Sequence, residues 1–364
     1  MKILFVGSTS PGQTSEMRMR VLEKLGHDVA SIDSATRWMQ VTGTSRRLQQ
    51  AVCAGPVISR FNDEVIQAAR AFKPELMWAE KQEYLTADTL EGLKKIGARL
   101  LHFTPDPYFT LTWKQTRLTT QAMPLYDYLV TSKRYELSQY SSLPARIIYM
   151  PLGFSEEVHR PLSPLDSTLS RNFASDVSFL GGWEPRRETM LDHVAEDNSL
   201  QLKVWGYGWD HLEDGKISPR RYLAMRRNAG GAPFSVKKNE RLASTVQGNE
   251  VYAEEYAYAL SGARISLGFL RKVCPDQHTT RTFEIPACAS LLLADRTDEH
   301  QEFFEEGAEA DFFGSSDEML EKLRFYLRNE AARADVARRG FERCHRSGYS
   351  YTARVSEVMK ELGA

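Results

Sequence analysis

Between Asp276 and Asp295 the chain carries its densest run of groups able to do chemistry: Asp-Gln-His-Thr-Thr-Arg-Thr-Phe-Glu, then Ile-Pro-Ala-Cys-Ala-Ser and an apolar Leu-Leu-Leu-Ala. The polar residues crowd a helix start, and a short apolar helix leads on into a buried strand. Glu284 falls in the first turns of that helix among apolar neighbours. A carboxylate there needs partners, and the two hydroxyls of a ribose would satisfy both of its oxygens. A capping or salt-bridge role would satisfy them equally.

Four further segments place reactive or pocket-forming types at strand ends. Phe179-Leu180-Gly181-Gly182-Trp183-Glu184-Pro185-Arg186-Arg187 follows an apolar run and opens a helix. Its two glycines let backbone approach a ligand, and the guanidinium groups of Arg186 and Arg187 match a diphosphate. Positive charge in a first helical turn opposes the helix dipole, which favours an anion there over a purely structural role. In the first βα turn, Gly7 to Ser15 with Gly12 at its centre, small residues again suit an anion at a helix N-terminus. The turn is neither GxGxxG nor GK[ST], so no dinucleotide or Walker site is indicated, and an ordinary tight turn is the competing reading. Asp106, boxed by Pro105 and Pro107 after the run ending His102-Phe103, suits a general base or an anchor for a substrate hydroxyl, or else a turn-closing carboxylate. His102 alternates with apolar neighbours and reads as a packed histidine. Val204-Trp205-Gly206-Tyr207-Gly208-Trp209 would wall a base or sugar pocket or form a plain turn.

The elements that must hold these groups alternate along the chain. Apolar runs at Lys2–Val6, Val29–Ile32, Leu76–Trp78, Arg99–Phe103, Tyr128–Thr131 and Arg146–Met150 read as strands. Ser15–Leu25, Asn62–Phe72, Thr86–Ile96 and Ser132–Tyr140 between them read as helices, with Ser15 and Glu16 as a start signal and Gly26 as a stop. From Pro151 to about Arg171 prolines and serines interrupt the pattern, a linker. Strands then resume at Asp176–Leu180, Leu202–Trp205, Ile265–Phe269 and Leu291–Ala294. Helices are expected at Arg186–Ala195, Glu254–Gly262, Phe283–Ala289 and Asp317–Asn329, and a helical tail over Glu330–Leu362. Strand–helix alternation of this length predicts right-handed crossovers and parallel sheets. The expected fold is α/β: two Rossmann-like, doubly wound domains facing a cleft, where ligands meet the carboxyl ends of strands. Residues 1–155 form the acceptor-side domain, 156–172 the linker and 173–340 the nucleotide-sugar domain, with a helical tail at 341–364 packing back on the first domain.

Composition excludes several classes. The 364 residues are 42% hydrophobic and 26% charged, with 47 Lys and Arg against 48 Asp and Glu. A balance near zero argues against affinity built on wrapping phosphate backbones, so nucleic acid is a poor partner. No run approaches the roughly 20 apolar residues that span a bilayer. The apolar start lacks a cleavage site and reads as a strand rather than a signal peptide. Cys53, Cys274, Cys288 and Cys344 have no CxxC spacing, which indicates neither zinc nor disulfides and fits a cytoplasmic location.

The run Arg281–Ala289, followed by Asp295-Arg296-Thr297-Asp298-Glu299-His300 and Phe304–Ala310, resembles the donor-binding region of glycosyltransferases related to spore maturation protein CgeB. That group is similar to the family-4 retaining transferases of GT-B architecture, and the segment Arg333–Gly340 with Phe341, Glu342, Tyr351 and Arg354 resembles its closing helices. The resemblance implies a nucleoside-diphosphate sugar donor, UDP-linked, an unidentified acceptor (glycan, protein or small molecule), retention of configuration, no catalytic metal and no further cofactor. It assigns Glu284 to the ribose hydroxyls and Arg186, with Arg187, to the diphosphate. Backbone at Thr279, Thr280 and Arg281 falls beside the phosphates, Asp276 near the transferred sugar, and Asp106 in the acceptor region. Where the group has a glutamate and a glycine-rich turn, this chain has Asp276-Gln277-His278-Thr279-Thr280, so His278 shares the part of Asp276. A nucleotide-sugar hydrolase or epimerase of the same fold, and a non-catalytic partner subunit, are the alternatives.

Overall fold

The computed structural model describes residues 1–162, 172–231, 233–248 and 250–363. Positions 163–171 of the expected linker lie outside the described residues. The chain divides into two compact units, Met1–Leu152 with Tyr351–Ala364, and Gly153–Ser350.

In the first unit six strands run parallel: β1 (Lys2–Gly7), β2 (Asp28–Asp33), β3 (Leu76–Glu80), β4 (Arg99–Thr104), β5 (Tyr128–Thr131) and β6 (Arg146–Tyr149), in the order β2-β1-β3-β4-β5-β6. Every residue of β3 is buried, as strands covered on both faces require, whereas edge strand β2 exposes Asp28 and Ser31. Leu4, Val6, Met77, Ala79 and Leu100 supply the core against helix residues such as Val65, Leu90 and Leu93.

Local signals explain most helix bounds. Thr86 accepts from Thr89 N–H to start the helix Ala87–Ile96, and Gly97, at φ 99°, stops it. The expected helix Asn62–Phe72 begins earlier, at Pro56, because proline is tolerated in a first turn. Ser15 does not cap the first helix. Gln13 holds the cap position of Thr14–Lys24 without a side-chain bond, and Ser15 is buried in the first turn. The expected helix Ser132–Tyr140 is a 3-10 turn, Arg134–Glu136, and one helical turn, Leu137–Tyr140. At that break the buried Glu136 carboxylate accepts from the N–H groups of Tyr108 and Thr110, at 2.8 and 2.7 Å. The last helix, Tyr351–Glu361, belongs to this unit. Arg18 pairs with Glu80 at 2.5 Å, both buried, and lies 5.0 Å over the Tyr351 ring.

The second unit has five parallel strands, β7 (Ser175–Leu180), β8 (Leu202–Trp205), β9 (Ala263–Gly268), β10 (Leu291–Asp295) and β11 (Asp311–Phe313), ordered β11-β10-β9-β7-β8. Val177, Val204, Ile265, Leu267, Leu291 and Leu293 form the sheet side of its core. Three serines are buried in this sheet and at its edge, and each is satisfied. Ser178 bonds Ser266 at 2.8 Å, Ser266 bonds Ser290 at 2.9 Å, and Ser290 donates to Ala263 O at 3.2 Å.

Candidate nucleotide-binding site

The carboxyl end of β7 leads into Gly181-Gly182-Trp183-Glu184, and Pro185 opens the helix Pro185–Ala195. The turn after β8 backs this loop. Gly206 sits at φ 144°, and a Cβ there would stand 2.2 Å from the Gly181 carbonyl oxygen, so only glycine lets the two turns meet. Trp209 Nε1 donates to the same carbonyl at 3.0 Å, and Trp183 N–H donates to Tyr207 O at 2.9 Å. The Trp205–Trp209 segment is therefore a buttress for the glycine loop, with the exposed Tyr207 ring laid against Gly182.

Arg186 and Arg187 diverge from their shared helix turn. Arg186 makes a two-pronged pair with Asp295 at the end of β10, one prong at 3.1 Å, and Asp295 also accepts from Leu270 N–H at 2.8 Å. Arg187 is buried and donates to Gly182 O at 2.8 Å and Phe269 O at 3.3 Å, tying the ends of β7 and β9 together. Both arginines thus find partners inside the protein, which offsets the unfavourable dipole that the sequence pointed to. Other charges act on Arg187 as well. Burial lowers the pKa of Arg187, and the neighbouring guanidinium groups of Arg281 and Arg271 lower it further, against Glu184 as the nearby carboxylate. Glu184 lies 3.6 Å from Arg187 and 3.4 Å from Arg271.

Beneath the segment that starts the helix Arg281–Ala287 runs a directed chain of hydrogen bonds. The Asp295 carbonyl can only accept, so His300 Nδ1 carries the proton it donates at 2.6 Å. His300 Nε2 then accepts from the Thr282 hydroxyl at 2.8 Å, and that oxygen accepts from Thr279 N–H at 3.1 Å. Burial pushes the His300 pKa down to about 4, so this neutral tautomer holds through neutral pH. His278 is buried too. Its Nδ1 meets the Glu299 carboxylate and its ring packs edge-on against Phe283 and Phe303. It serves as a strut under the turn, and the Thr279 N–H is already committed to Thr282. Thr280 accepts from Arg281 at 3.3 Å.

Glu284 is 3% exposed. Its Oε2 accepts from the Tyr256 hydroxyl at 2.5 Å, and Oε1 lies 3.7 Å from His159 Nε2. Ser155 N–H donates to His159 Nδ1 at 2.9 Å, so the ring proton sits on Nε2 and faces the carboxylate. Burial lowers the His159 pKa and keeps the ring neutral, while burial raises that of Tyr256 well above its usual value. Arg281 lies 5.8 Å over the Tyr256 ring and joins this group to the arginine cluster. The partners that the sequence assigned to ribose hydroxyls are, in this structure, a tyrosine and a histidine. Sequence reasoning missed both. His159 stands in a stretch read as linker, and Tyr256 is one of two tyrosines on an ordinary amphipathic helix.

Asp276 is half-buried beside Cys274, whose thiol donates to it at 3.2 Å. Gly12 and Asp106 belong to the first unit. Gly12 turns the loop after β1 with φ 82°. Asp106 pairs with Lys81 at 2.7 Å and Lys114 at 3.5 Å. Although burial opposes it, these lysines bring its pKa down to about 2. Lys81 itself takes a left-handed φ of 52° directly after β3, an uncommon conformation for lysine that aims it at this carboxylate. His102 is packed as expected. Its Nε2 meets Gln82 O at 3.2 Å, and burial pushes its pKa to about 4.

Residues 186–360 match the sequence model of a family described as glycosyl transferase-like. No curated protein matches the chain by sequence. Among solved structures, Anabaena HepE in complex with UDP-glucose is similar at 13% identity and TM-score 0.61, over 100% of this chain and 99% of that one. The sucrose-phosphate synthase of Thermosynechococcus elongatus gives 11% identity and TM-score 0.64, with 100% and 99% covered. A putative UDP-N-acetylglucosamine 2-epimerase from Listeria monocytogenes gives 11% identity and TM-score 0.51, with 95% and 94% covered. The two parallel-sheet units have the fold of GT-B glycosyltransferase structures.

Proposed function

We propose that the chain transfers a sugar from a UDP-linked donor, bound by the unit Gly153–Ser350, to an acceptor hydroxyl with retention of configuration, as a CgeB-like member of the GT-B transferases. The observation that carries the reading is the convergence of Arg187, Arg271 and Arg281 near the carboxyl ends of β7 and β9, with Glu184 paired to the first two. Guanidinium groups gathered in one place suit a diphosphate, whose oxygens accept two-pronged hydrogen bonds from them. The glycosyl transferase-like match and the UDP-glucose complex of HepE support the same donor class.

In this reading the main catalytic term is electrostatic. Arg281, with Arg186 held in place by Asp295, stabilises the departing diphosphate, so the reaction needs no metal ion. Asp276 flanks the transferred sugar. Asp106, kept ionised at a pKa of about 2 by Lys81 and Lys114, is a poor proton acceptor at neutral pH and instead orients the acceptor. Glu284 takes the ribose hydroxyls once Tyr256 yields. Four buried cysteines, none joined in a disulfide among the described residues, agree with action in a reducing compartment such as the cytoplasm.

The test is thermal stabilisation by UDP, GDP and dTDP, without any acceptor. UDP at a hundred times its Kd adds about 2.7 kcal/mol to the stability of the binding unit. Arg281→Gln should weaken UDP binding by roughly tenfold to a hundredfold, the loss of one charge-assisted contact. Equal, negligible shifts with all three nucleotides would overturn the donor site. UDP binding followed by release of free sugar with no acceptor dependence would favour a hydrolase or epimerase.

A further inference from the structure

Between β8 and the helix Ala253–Ser261 the chain makes an excursion that the sheet does not require. It leaves at Trp205 and returns to the edge of β8 at Val246, where Val204 N–H donates to Thr245 O and Gln247 N–H to Val204 O, at 3.0 and 2.9 Å. Leu212, Met225 and Leu242 pin it to the core. From Gly206 to Gln247 it carries eight lysines and arginines against four carboxylates, Asp210, Glu213, Asp214 and Glu240, in a chain whose net charge is −1. Within it Asp210 pairs with Arg221, and Asp214 accepts from the backbone N–H of Lys216. Arg241 reaches Asp192 at 3.0 Å, and Lys238 reaches Glu240 at 2.5 Å. Lys216, Arg220 and Lys237 are exposed, and among the described residues no carboxylate pairs with them. Lys216 and Lys237 are brought together, because Gly215 packs against the backbone of Lys238, where an added Cβ would stand 2.8 Å from its nitrogen.

The helix Pro219–Asn228 sets an apolar residue among these charges. Positions 220, 223, 224 and 227 share one face, so Leu223 and Ala224 lie between Arg220 and Arg227. All four are exposed, and Leu223 is 63% exposed. The opposite face is fixed by buried Met225 and by Tyr222, whose ring stacks on Phe234 at 4.9 Å. A lone exposed leucine is ordinary on a protein surface, but one set among cations on a basic excursion matches the two layers of a lipid boundary. At a lipid boundary the leucine enters the acyl region and the cations meet phosphates.

We propose that this excursion docks the protein on an anionic bilayer surface, with Leu223 inserted and Lys216, Arg220 and Lys237 against lipid phosphates. A polyanion such as duplex DNA would satisfy the cations but give Leu223 nothing, which is why the lipid surface is the partner chosen. The proposal stands independently of the donor reading.

The experiment is co-sedimentation of the full chain with vesicles of phosphatidylcholine alone and with about one-third phosphatidylglycerol. Wild type should bind the anionic vesicles, bind the neutral ones at least tenfold more weakly, and lose affinity as salt rises. The triple variant Lys216→Gln, Arg220→Gln, Lys237→Gln should bind anionic vesicles roughly a hundredfold more weakly at low salt, at about one cation's contribution each. Leu223→Ser should weaken binding severalfold with the salt dependence unchanged. All four positions are exposed, so circular dichroism and UDP-induced stabilisation should match wild type in every variant. Equal binding to both vesicle types would overturn the proposal. So would capture of duplex DNA as tightly as vesicles with Leu223→Ser without effect on either.

Discussion

Tyr256→Phe and Glu284→Gln, made singly and together, test the group that joins the expected ribose carboxylate to the rest of its unit. In wild type the tyrosine hydroxyl donates to a carboxylate at 2.5 Å, with the acid 3% exposed. A hydrogen bond to a charged group contributes about 1.5–3 kcal/mol, and the neutral bond that the amide of the Glu284→Gln variant retains contributes about 0.5–1.5. The cycle should therefore give a coupling energy of about 1–2 kcal/mol in urea unfolding of the unit Gly153–Ser350. In a unit of this size that is a shift in Tm of about 2–8 °C. UDP affinity of the folded protein separates structure from ligand. Tyr256→Phe frees Oε2 and should leave affinity unchanged or higher, whereas Glu284→Gln should lower it roughly tenfold to a hundredfold. Wild type should also prefer UDP over its 2′-deoxy analogue, and the Gln variant should lose that preference. A coupling energy below about 0.5 kcal/mol would refute the pairing. A Gln variant that destabilises the unit but keeps both UDP affinity and the 2′-hydroxyl preference would leave Glu284 a structural carboxylate only.

Two predictions concern pH. His102 and His300, one in each unit, have pKa values of about 4 against 6.5 for an unperturbed imidazole. The unfolded chain therefore takes up protons first, and stability falls as pH drops from 6.5 to 4, by up to about 3 kcal/mol for each histidine. His300→Gln should flatten that limb for its own unit in urea titrations, and an unchanged slope would show that the imidazole is not held neutral. Asp106 has its pKa lowered from 3.8 to about 2, so its contribution is complete above about pH 4 and is lost toward pH 2. Its lysine partners are partly exposed, so Asp106→Asn should cost under about 1 kcal/mol at neutral pH. As an orienting group rather than a base, it should change KM for the acceptor and leave the pH profile of kcat in place, and loss of the acidic limb from that profile would reinstate it as a base.

Strand positions were the legible part of the fold. Runs such as Ile3–Val6, Met77–Ala79 and Leu291–Ala294 are apolar at consecutive positions because parallel strands are covered on both faces, and that pattern survives in a single sequence. Asp311–Phe313 does not, since a three-residue edge strand held by β10 has no periodicity to read. The same holds for Gly43–Val52, a helix with most of its residues exposed and no apolar face beyond a few positions. Within the site, the glycine loop and its arginines were legible as types, but their partners were not. Asp295 lies 109 positions from Arg186, and the chain runs from His159 in the stretch read as linker to Glu284 in the donor segment before those two meet; only the folded sheet brings such groups together.

That distance in sequence explains why the reading of Arg186 and Arg187 from the helix dipole was incomplete. The dipole argument weighs a charge against the helix it sits on, at about 0.3–1 kcal/mol. A two-pronged arginine–carboxylate pair, or a buried guanidinium bonded to two strand-end carbonyls, acts on a larger scale. Asp295 and the carbonyls of Gly182 and Phe269 therefore outweigh the dipole, and the position of the arginines alone no longer demands an anion. What still favours one is the convergence of Arg187, Arg271 and Arg281. Burial is the main cause of the lowered pKa of Arg187, with Glu184 opposing it and the other two guanidinium groups adding to it. Three cations from three separate chain segments meet where β7 and β9 end. The case for a diphosphate thus rests on a cluster assembled by the fold rather than on the paired arginines that first suggested it.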